Sequence, residues 1–260
     1  MCGFFASVSR SPISSAEIDL ICSDLVLRGP DSLDHCQFSI DGLYITLIHS
    51  RLAIINPVPR FAQPIHSDHS SMVYNGMIYN YLSLHSEISP TDSLASTCDT
   101  EVLLRLFDSK GIDCLNRLFG MFAFVHFSRS SKTLTAVRDY GGIKPLFYFQ
   151  SAQLIAFSSL TKPLSRFLPD NRYSVSISQA TQFLRFGIYD NSDETFWTDI
   201  KSVKPGHYIQ FALNSPPKQI WQTKWLSSNA TSANSSHTSD FYIDKLREKF
   251  LCLLYTSPSP

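Results

Sequence analysis

Met121-Phe122-Ala123-Phe124-Val125-His126-Phe127 is followed, after Ser128 to Lys132, by Thr133-Leu134-Thr135-Ala136-Val137-Arg138. Beyond Gly141-Gly142 come Pro145-Leu146-Phe147-Tyr148-Phe149 and, past Gln150 to Ala152, Leu154-Ile155-Ala156-Phe157. Each run is rich in aromatic and β-branched residues, as strands are. The loops between them are too short for a crossover helix, so the runs are expected to lie as antiparallel neighbours. Outward from them, Leu43 to Ile48 and Gly206 to Ala212 read as further strands. Met72-Val73-Tyr74 and Met77-Ile78-Tyr79 flank Asn75-Gly76, the dipeptide of a two-residue hairpin turn.

Helical periodicity appears on both sides of this block. Ser15 to Leu27 carries Ile18, Ile21, Cys22, Leu25 and Val26 on one stripe, and Gly29 and Pro30 stop it. Asp99 is placed to N-cap a helix from Thr100 to Lys110, with Val102, Leu103, Leu106 and Phe107 on its buried side and Gly111 past its end. Ser178 to Phe186 reads as a helix ending at Gly187. Helices around runs of hairpin-linked strands define a layered α+β protein rather than a βαβ crossover fold.

The 260 residues hold 22 Lys plus Arg against 22 Asp plus Glu, so no basic excess marks a nucleic-acid partner. No stretch has the apolar length of a membrane span, and Phe4 to Val8 followed by Arg10 does not make a secretory signal. The six cysteines form no C-x-x-C pair and no metal-ligand rhythm, which suits a reducing, cytoplasmic compartment without structural metal. From Ser227 to Asp240 the composition turns to Ser, Thr, Asn and Ala, the chemistry of a linker. Asn229-Ala230-Thr231 and Asn234-Ser235-Ser236 in it match the glycosylation pattern, but read as ordinary linker residues. Phe241 to Phe250 then starts a helix that the Pro- and Ser-rich Tyr255 to Pro260 is expected to end.

Cys2 is the residue to weigh for chemistry. Removal of Met1 would leave its thiol beside its own α-amino group, whose ordinary pKa of about 7.7 to 8.0 makes it a base near neutral pH. N-terminal nucleophiles use this pairing, although a cysteine near a start is by itself a weak signal. Arg51 read alone is a surface ion-pair residue, Asn75-Gly76 a turn and Asp99 a helix cap.

Six motifs occur in order with Met1-Cys2-Gly3: Arg28-Gly29-Pro30-Asp31, His49-Ser50-Arg51-Leu52, Gln63-Pro64, Tyr74-Asn75-Gly76-Met77-Ile78-Tyr79-Asn80, Cys98-Asp99-Thr100-Glu101 and Arg138-Asp139-Tyr140-Gly141-Gly142-Ile143-Lys144-Pro145-Leu146. Together they closely resemble the N-terminal glutaminase domain of class II glutamine amidotransferases, the asparagine synthetase branch in particular. Lys204-Pro205-Gly206-His207 also looks like that branch.

The resemblance implies an N-terminal-nucleophile hydrolase fold, two antiparallel sheets stacked between helical layers in an αββα sandwich. It implies hydrolysis of glutamine through a thioester on Cys2, with Asn75 and the Gly76 N–H as oxyanion donors. It places glutamine against Arg51, Leu52, Ala53, Ile54, Ile55, Asn75, Gly76, Met77 and Asp99. The Arg51 fork suits the carboxylate and Asp99 suits the ammonium. Arg28 to Asp31 and Arg138 to Leu146 are read mainly as structural elements around that site.

Two departures stand out. The family pattern has Asn-Gly-Glu where this chain has Met77, so one carboxylate near the substrate ammonium is absent. The Ser-Gly-Gly-x-Asp-Ser pyrophosphate loop of the synthetase half is not in the sequence either. The expected partition is therefore residues 1–212 as glutaminase, 213–240 as connection and linker, and 241–260 as the stub of a synthetase domain with a non-native tail. The glutaminase part needs no metal or cofactor, ATP and Mg being expected only with the synthetase domain. The expected partners are glutamine and the chain's own C-terminal synthetase domain, with a homodimer also compatible, and neither nucleic acid nor membrane. The alternatives are another class II amidotransferase with a sugar-phosphate or phosphoribosyl acceptor, and a regulatory domain that kept the fold without catalysis.

Overall fold

Gly3–Ser9 forms strand β1, and all seven of its residues are buried. A strand buried on both faces needs cover on both, and the architecture supplies it. The computed structural model describes residues 2–53, 62–88, 98–168, 175–189, 192–213, 223–224 and 239–256. They divide into a unit Met1–Leu226 and a second unit Ser227–Pro260.

In the first unit β1 lies inside a six-stranded sheet with β2 (Ser32–Ile40), β3 (Leu43–Arg51), β8 (Phe147–Gln150), β9 (Leu154–Ser158) and β10 (Ile200–Ser202). Its strand order is β10-β8-β9-β1-β3-β2. A second six-stranded sheet contains β4 (Ile65–His66), β5 (Ser70–Ile78), β6 (Gly120–Ser128), β7 (Thr133–Arg138), β11 (His207–Ala212) and β12 (Thr223–Lys224), in the order β12-β11-β7-β6-β5-β4. Neighbouring strands in both sheets run antiparallel.

Strand alternation sorts the side chains into three cores. Phe4, Ala6 and Val8 of β1 meet Val73, Ala123, Val125 and Ala136 of the second sheet in the space between the sheets. Phe5 points the other way, onto Ile18, Ile21 and Leu25 of α1 (Ser15–Leu25) and Leu164 of α4 (Thr161–Ser165). On the far side Met72, Tyr74, Phe122 and Phe124 pack against α2 (Tyr81–Ile88) and α3 (Asp99–Lys110) through Leu84, Val102, Leu103 and Phe107. The result is the expected αββα sandwich. Ser14 caps α1 in a reciprocal box with Glu17, and Ser176 caps α5 (Ile177–Phe186), which ends at left-handed Gly187.

Several expectations need correction. Strands β7 and β8 are not neighbours: β7 belongs to the second sheet and β8 to the first, so the connection through Gly141-Gly142 crosses between sheets. Asn75-Gly76 is not a turn. Both residues lie within β5, where Asn75 stands opposite Ala123 and Gly76 opposite Phe122. The two-residue hairpin is instead Asp41-Gly42, joining β2 to β3 with φ of 52° and 76°, as a type I′ turn demands.

Asp99 does not cap α3 but is its first residue, behind Cys98 as N-cap. β12 lies in the connecting segment ahead of the Ser- and Thr-rich linker, paired with β11 through Thr223 opposite Tyr208. In the second unit α6 spans Ser239–Thr256, so Tyr255 and Thr256 continue the helix rather than end it. Most of the Ser- and Thr-rich stretch, with both Asn-x-Ser/Thr sites, lies outside the described residues.

Candidate active site

The register of β1 on β3, Gly3 opposite Ser50, carries Cys2 to the level of Arg51 at the end of β3. The Cys2 Sγ then sits against the next residue of the chain: the Leu52 N–H donates to it at 3.4 Å, and the thiol reaches the Leu52 carbonyl at 3.7 Å. The thiol therefore has an acceptor for its proton, and the sulfur has a donor whichever form it takes.

Arg28-Gly29-Pro30-Asp31 braces this corner. Arg28 Nε donates to the Cys2 carbonyl at 3.0 Å, and the Asp31 N–H donates to the Arg51 carbonyl at 3.0 Å. Asp31 Oδ2 accepts from the Ala53 N–H at 2.7 Å. Gly29 is needed for close approach: a Cβ there would stand 2.5 Å from the Ser50 and Arg51 backbone.

A cleft of about 90 Å³ opens at Cys2, lined by Arg51, Leu52, Asn75, Gly76, Met77 and Asp99 together with Gln63, Tyr74, Cys98, Thr100, Met121 and Lys144. Of the residues expected in the site, Cys2, Arg51, Leu52, Asn75, Gly76, Met77 and Asp99 are thus brought together. Ala53 does not line the cleft and is held by Asp31 instead. Ile54 and Ile55 lie outside the described residues.

Strand β5 shapes the wall opposite the thiol. The Asp139 N–H donates to the Phe122 carbonyl at 2.8 Å, so Phe122 turns its backbone polar groups away from β5. By the alternation of an antiparallel ladder, Tyr74, Gly76 and Ile78 then turn theirs away from β6. Gln63 takes the first of these: Tyr74 N–H donates to its Oε1 at 2.7 Å, and its Nε2 donates to the Tyr74 carbonyl at 3.2 Å. Asp99 takes the third, Oδ2 accepting from the Ile78 N–H at 3.1 Å. Gly76 lies between them, and alternation aims its N–H into the cleft.

Beside it Asn75 is 2% exposed, and its side-chain nitrogen has no hydrogen-bond partner among the described residues. A buried unpaired donor costs about 1–3 kcal/mol, which calls for an explanation. A ligand oxygen bound at that point supplies one.

Asp99 is 4% exposed and also accepts from the Tyr74 hydroxyl at 2.7 Å. Burial pushes its carboxyl above the ordinary carboxylate range, against the opposing effect of the Tyr74 hydroxyl and backbone donors. His49 Nε2–H donates to the Tyr74 carbonyl at 3.0 Å and links the two sheets. Burial depresses its pKa to about 4, so the ring is neutral near neutral pH.

Lys144, also buried, lines the cleft as well, a place beyond the structural role expected of Arg138 to Leu146. Asp139 holds the Lys144 and Ile143 N–H groups at 2.9 and 3.0 Å, while Arg138 holds the Lys144 and Gly142 carbonyls. That brace presents the Lys144 side chain to the cleft. Burial and neighbouring Arg28 depress its pKa, and Cys2 and Asp139 oppose the shift. No sequence signal separates Lys144 from an ordinary loop lysine. Gln63 and Tyr74 belong to separate sequence motifs, and only the fold pairs them.

A sandwich of antiparallel sheets with a cysteine at the head of an inner strand, sharing a cleft with an Asn75 amide nitrogen that has no partner among the described residues, is the arrangement of an N-terminal-nucleophile hydrolase. The chain belongs to the glutamine amidotransferase domain family, whose model matches residues 1–222. It is 26% identical over 267 aligned positions to amidase chry2 of Gibberella zeae, covering 96% of this chain and 38% of that protein. It is 31% identical over 196 positions to amidase chyE of Penicillium rubens, covering 74% and 27%. Asparagine synthetase [glutamine-hydrolyzing] 1 of Bacillus subtilis is 29% identical over 218 positions, covering 79% and 33%.

The chain thus spans about a quarter to two fifths of these curated relatives. Among solved structures, the glutamine phosphoribosylpyrophosphate amidotransferase of B. subtilis shares the fold, at 16% identity and a TM-score of 0.57 over 88% of this chain and 50% of that one. In the second unit α6 is not apolar enough to cross a membrane, nor is any other described helix.

Proposed function

We propose that the domain hydrolyses the side-chain amide of glutamine to glutamate and ammonia, with Cys2 as nucleophile. The observation that carries this is the Asn75 amide donor, buried without a partner among the described residues in the cleft that Cys2 also lines.

The α-amino group of Cys2, free once Met1 is removed, takes the thiol proton as Sγ bonds to the amide carbon. The carbonyl oxygen becomes an anion between the Asn75 amide and the Gly76 N–H. The C–N bond then breaks, the nitrogen takes the proton and leaves as ammonia, and a thioester remains on Cys2. Water adds to the thioester, its proton passes through the same amine to sulfur, and glutamate is released with the thiol restored. Arg51 holds the α-carboxylate and Asp99 the α-ammonium.

The ammonia serves an acceptor-activating domain. The synthetase relatives favour one that makes asparagine from aspartate and ATP. The test is stoichiometric release of glutamate and ammonia from glutamine by chain whose N-terminal Cys2 is verified by mass. A chain with one residue retained ahead of Cys2 should release neither, and undiminished release from that blocked chain would overturn the proposal.

The Asp99 shift sets a pH dependence. Holding an ammonium requires the carboxylate, and a raised pKa means that Asp99 protonates at a higher pH than an ordinary aspartate at about 3.9. The KM for glutamine should therefore climb on acidification before ordinary carboxylates titrate. Tyr74→Phe removes a hydrogen bond that favours the ionised form, so the rise should begin at higher pH in that variant. KM measured from pH 8 downward checks both.

A further inference from the structure

Met77 and Met121 stand opposite each other on β5 and β6, and both line the cleft. Asp99 is the one carboxylate among the described lining residues. Its Oδ2 already accepts from Tyr74 and Ile78. Arg51 and Lys144 bring two buried cations to the same cleft, with Asp139 bonded to the backbone of the Lys144 segment. A thioether is a weak acceptor and gives an ammonium little, but two flexible, apolar methionines mould well around an added acyl group. Asp99 can accept from an amide N–H as well as from an ammonium, so such a lining holds the carboxylate end of an amide donor firmly and discriminates weakly at its α-nitrogen.

Resting on the glutaminase reading, we propose that this site accepts glutamine whose α-nitrogen is acylated about as well as free glutamine, and that Met77 sets this tolerance. Acylation removes the donor's positive charge and leaves a net anion, which suits a cleft whose described lining carries Arg51, Lys144 and the one carboxylate of Asp99. It also places an apolar group beside the methionine pair. The reaction is unchanged: the side-chain amide still passes its acyl group to Cys2 and releases ammonia.

The experiment measures ammonia release by the full chain, with Cys2 verified as N-terminus, from glutamine and from Nα-acetylglutamine. The expected kcat/KM values lie within about tenfold of each other. Met77→Glu, which restores a carboxylate beside the α-nitrogen, should shift the ratio by about tenfold or more toward free glutamine. A preference of more than tenfold for free glutamine in the unsubstituted chain, or a ratio unmoved by Met77→Glu, overturns the inference and leaves the glutaminase reading standing. Release from neither substrate, with Cys2 unlabelled by an electrophilic glutamine analogue, overturns the glutaminase reading and this inference with it.

Discussion

Cys2→Ala is expected to lower glutamate release from glutamine by about 10⁴-fold or more, because the proposed thioester forms on the Cys2 sulfur and an alanine offers that step no partial substitute. The fold should survive. Cys2 precedes β1, is only half buried, and anchors through its backbone carbonyl, which the substitution keeps for Arg28. Melting temperature should therefore stay close to that of the parent while activity vanishes. Cys98 lines the same cleft and is the one residue there that could confuse a thiol-labelling assay. Burial pushes its thiol up, so it stays protonated and slow near neutral pH. Labelling by an electrophilic glutamine analogue should map to Cys2 and disappear in Cys2→Ala. Release above a tenth of the parent rate in that variant would remove Cys2 from the mechanism.

Gly76→Ala should damage both stability and activity. A Cβ at residue 76 would stand 2.3 Å from the Met121 carbonyl oxygen and 2.7 Å from the Phe122 Cα, and neither backbone atom can step aside alone. β5 must separate from β6, at a cost of about 3 kcal/mol by the range for overpacked interiors. That corresponds to a fall of about 10 °C in melting temperature for a domain of this size. The same separation moves the Gly76 N–H and the Asn75 amide from the Cys2 side of the cleft, so kcat should fall by about 10²-fold or more. Gly42→Ala gives the contrast. Gly42 has φ of 76° but nothing within 4 Å of its would-be Cβ. It should cost about 1 kcal/mol through backbone strain and leave kcat unchanged. Thermal melts and initial rates of both variants decide the matter.

These two glycines show what the sequence could and could not reveal. Asn75-Gly76 and Asp41-Gly42 are equivalent as local turn chemistry, and local chemistry alone chose the wrong one as hairpin. The deciding factor is non-local: β6 offers an unbroken nine-residue partner to β5, whereas β2 and β3 meet again within two residues. The connection between β7 and β8 misled for the same reason, since a short loop does not disclose that its ends belong to different sheets. Cys2, Arg51, Asn75, Gly76 and Asp99 were legible because ordered motifs carried them. Lys144 and the Gln63 clamp on Tyr74 were not, because Gln63 acts on Tyr74 across two different segments and Lys144 lines a cleft whose other walls come from β3 and β5.

The position of β1 has a further consequence, for the order in which the domain assembles. The strand that follows Cys2 pairs far along the chain, since one of its two neighbours is β9, with Phe5 opposite Ser158. Phe4 is secured from the same region, its carbonyl accepting from the Ser158 hydroxyl and the Ser159 N–H, both at 3.0 Å. Pairings so distant along the chain form late and slowly, because loop closure must precede their reward. A chain still growing can pair β1 with β3 and thereby seat Cys2 near Arg51, but with the other edge of β1 open. The Cys2 thiol consequently gains its fixed setting only once synthesis has passed Ser159, which couples the proposed activity to completion of the domain.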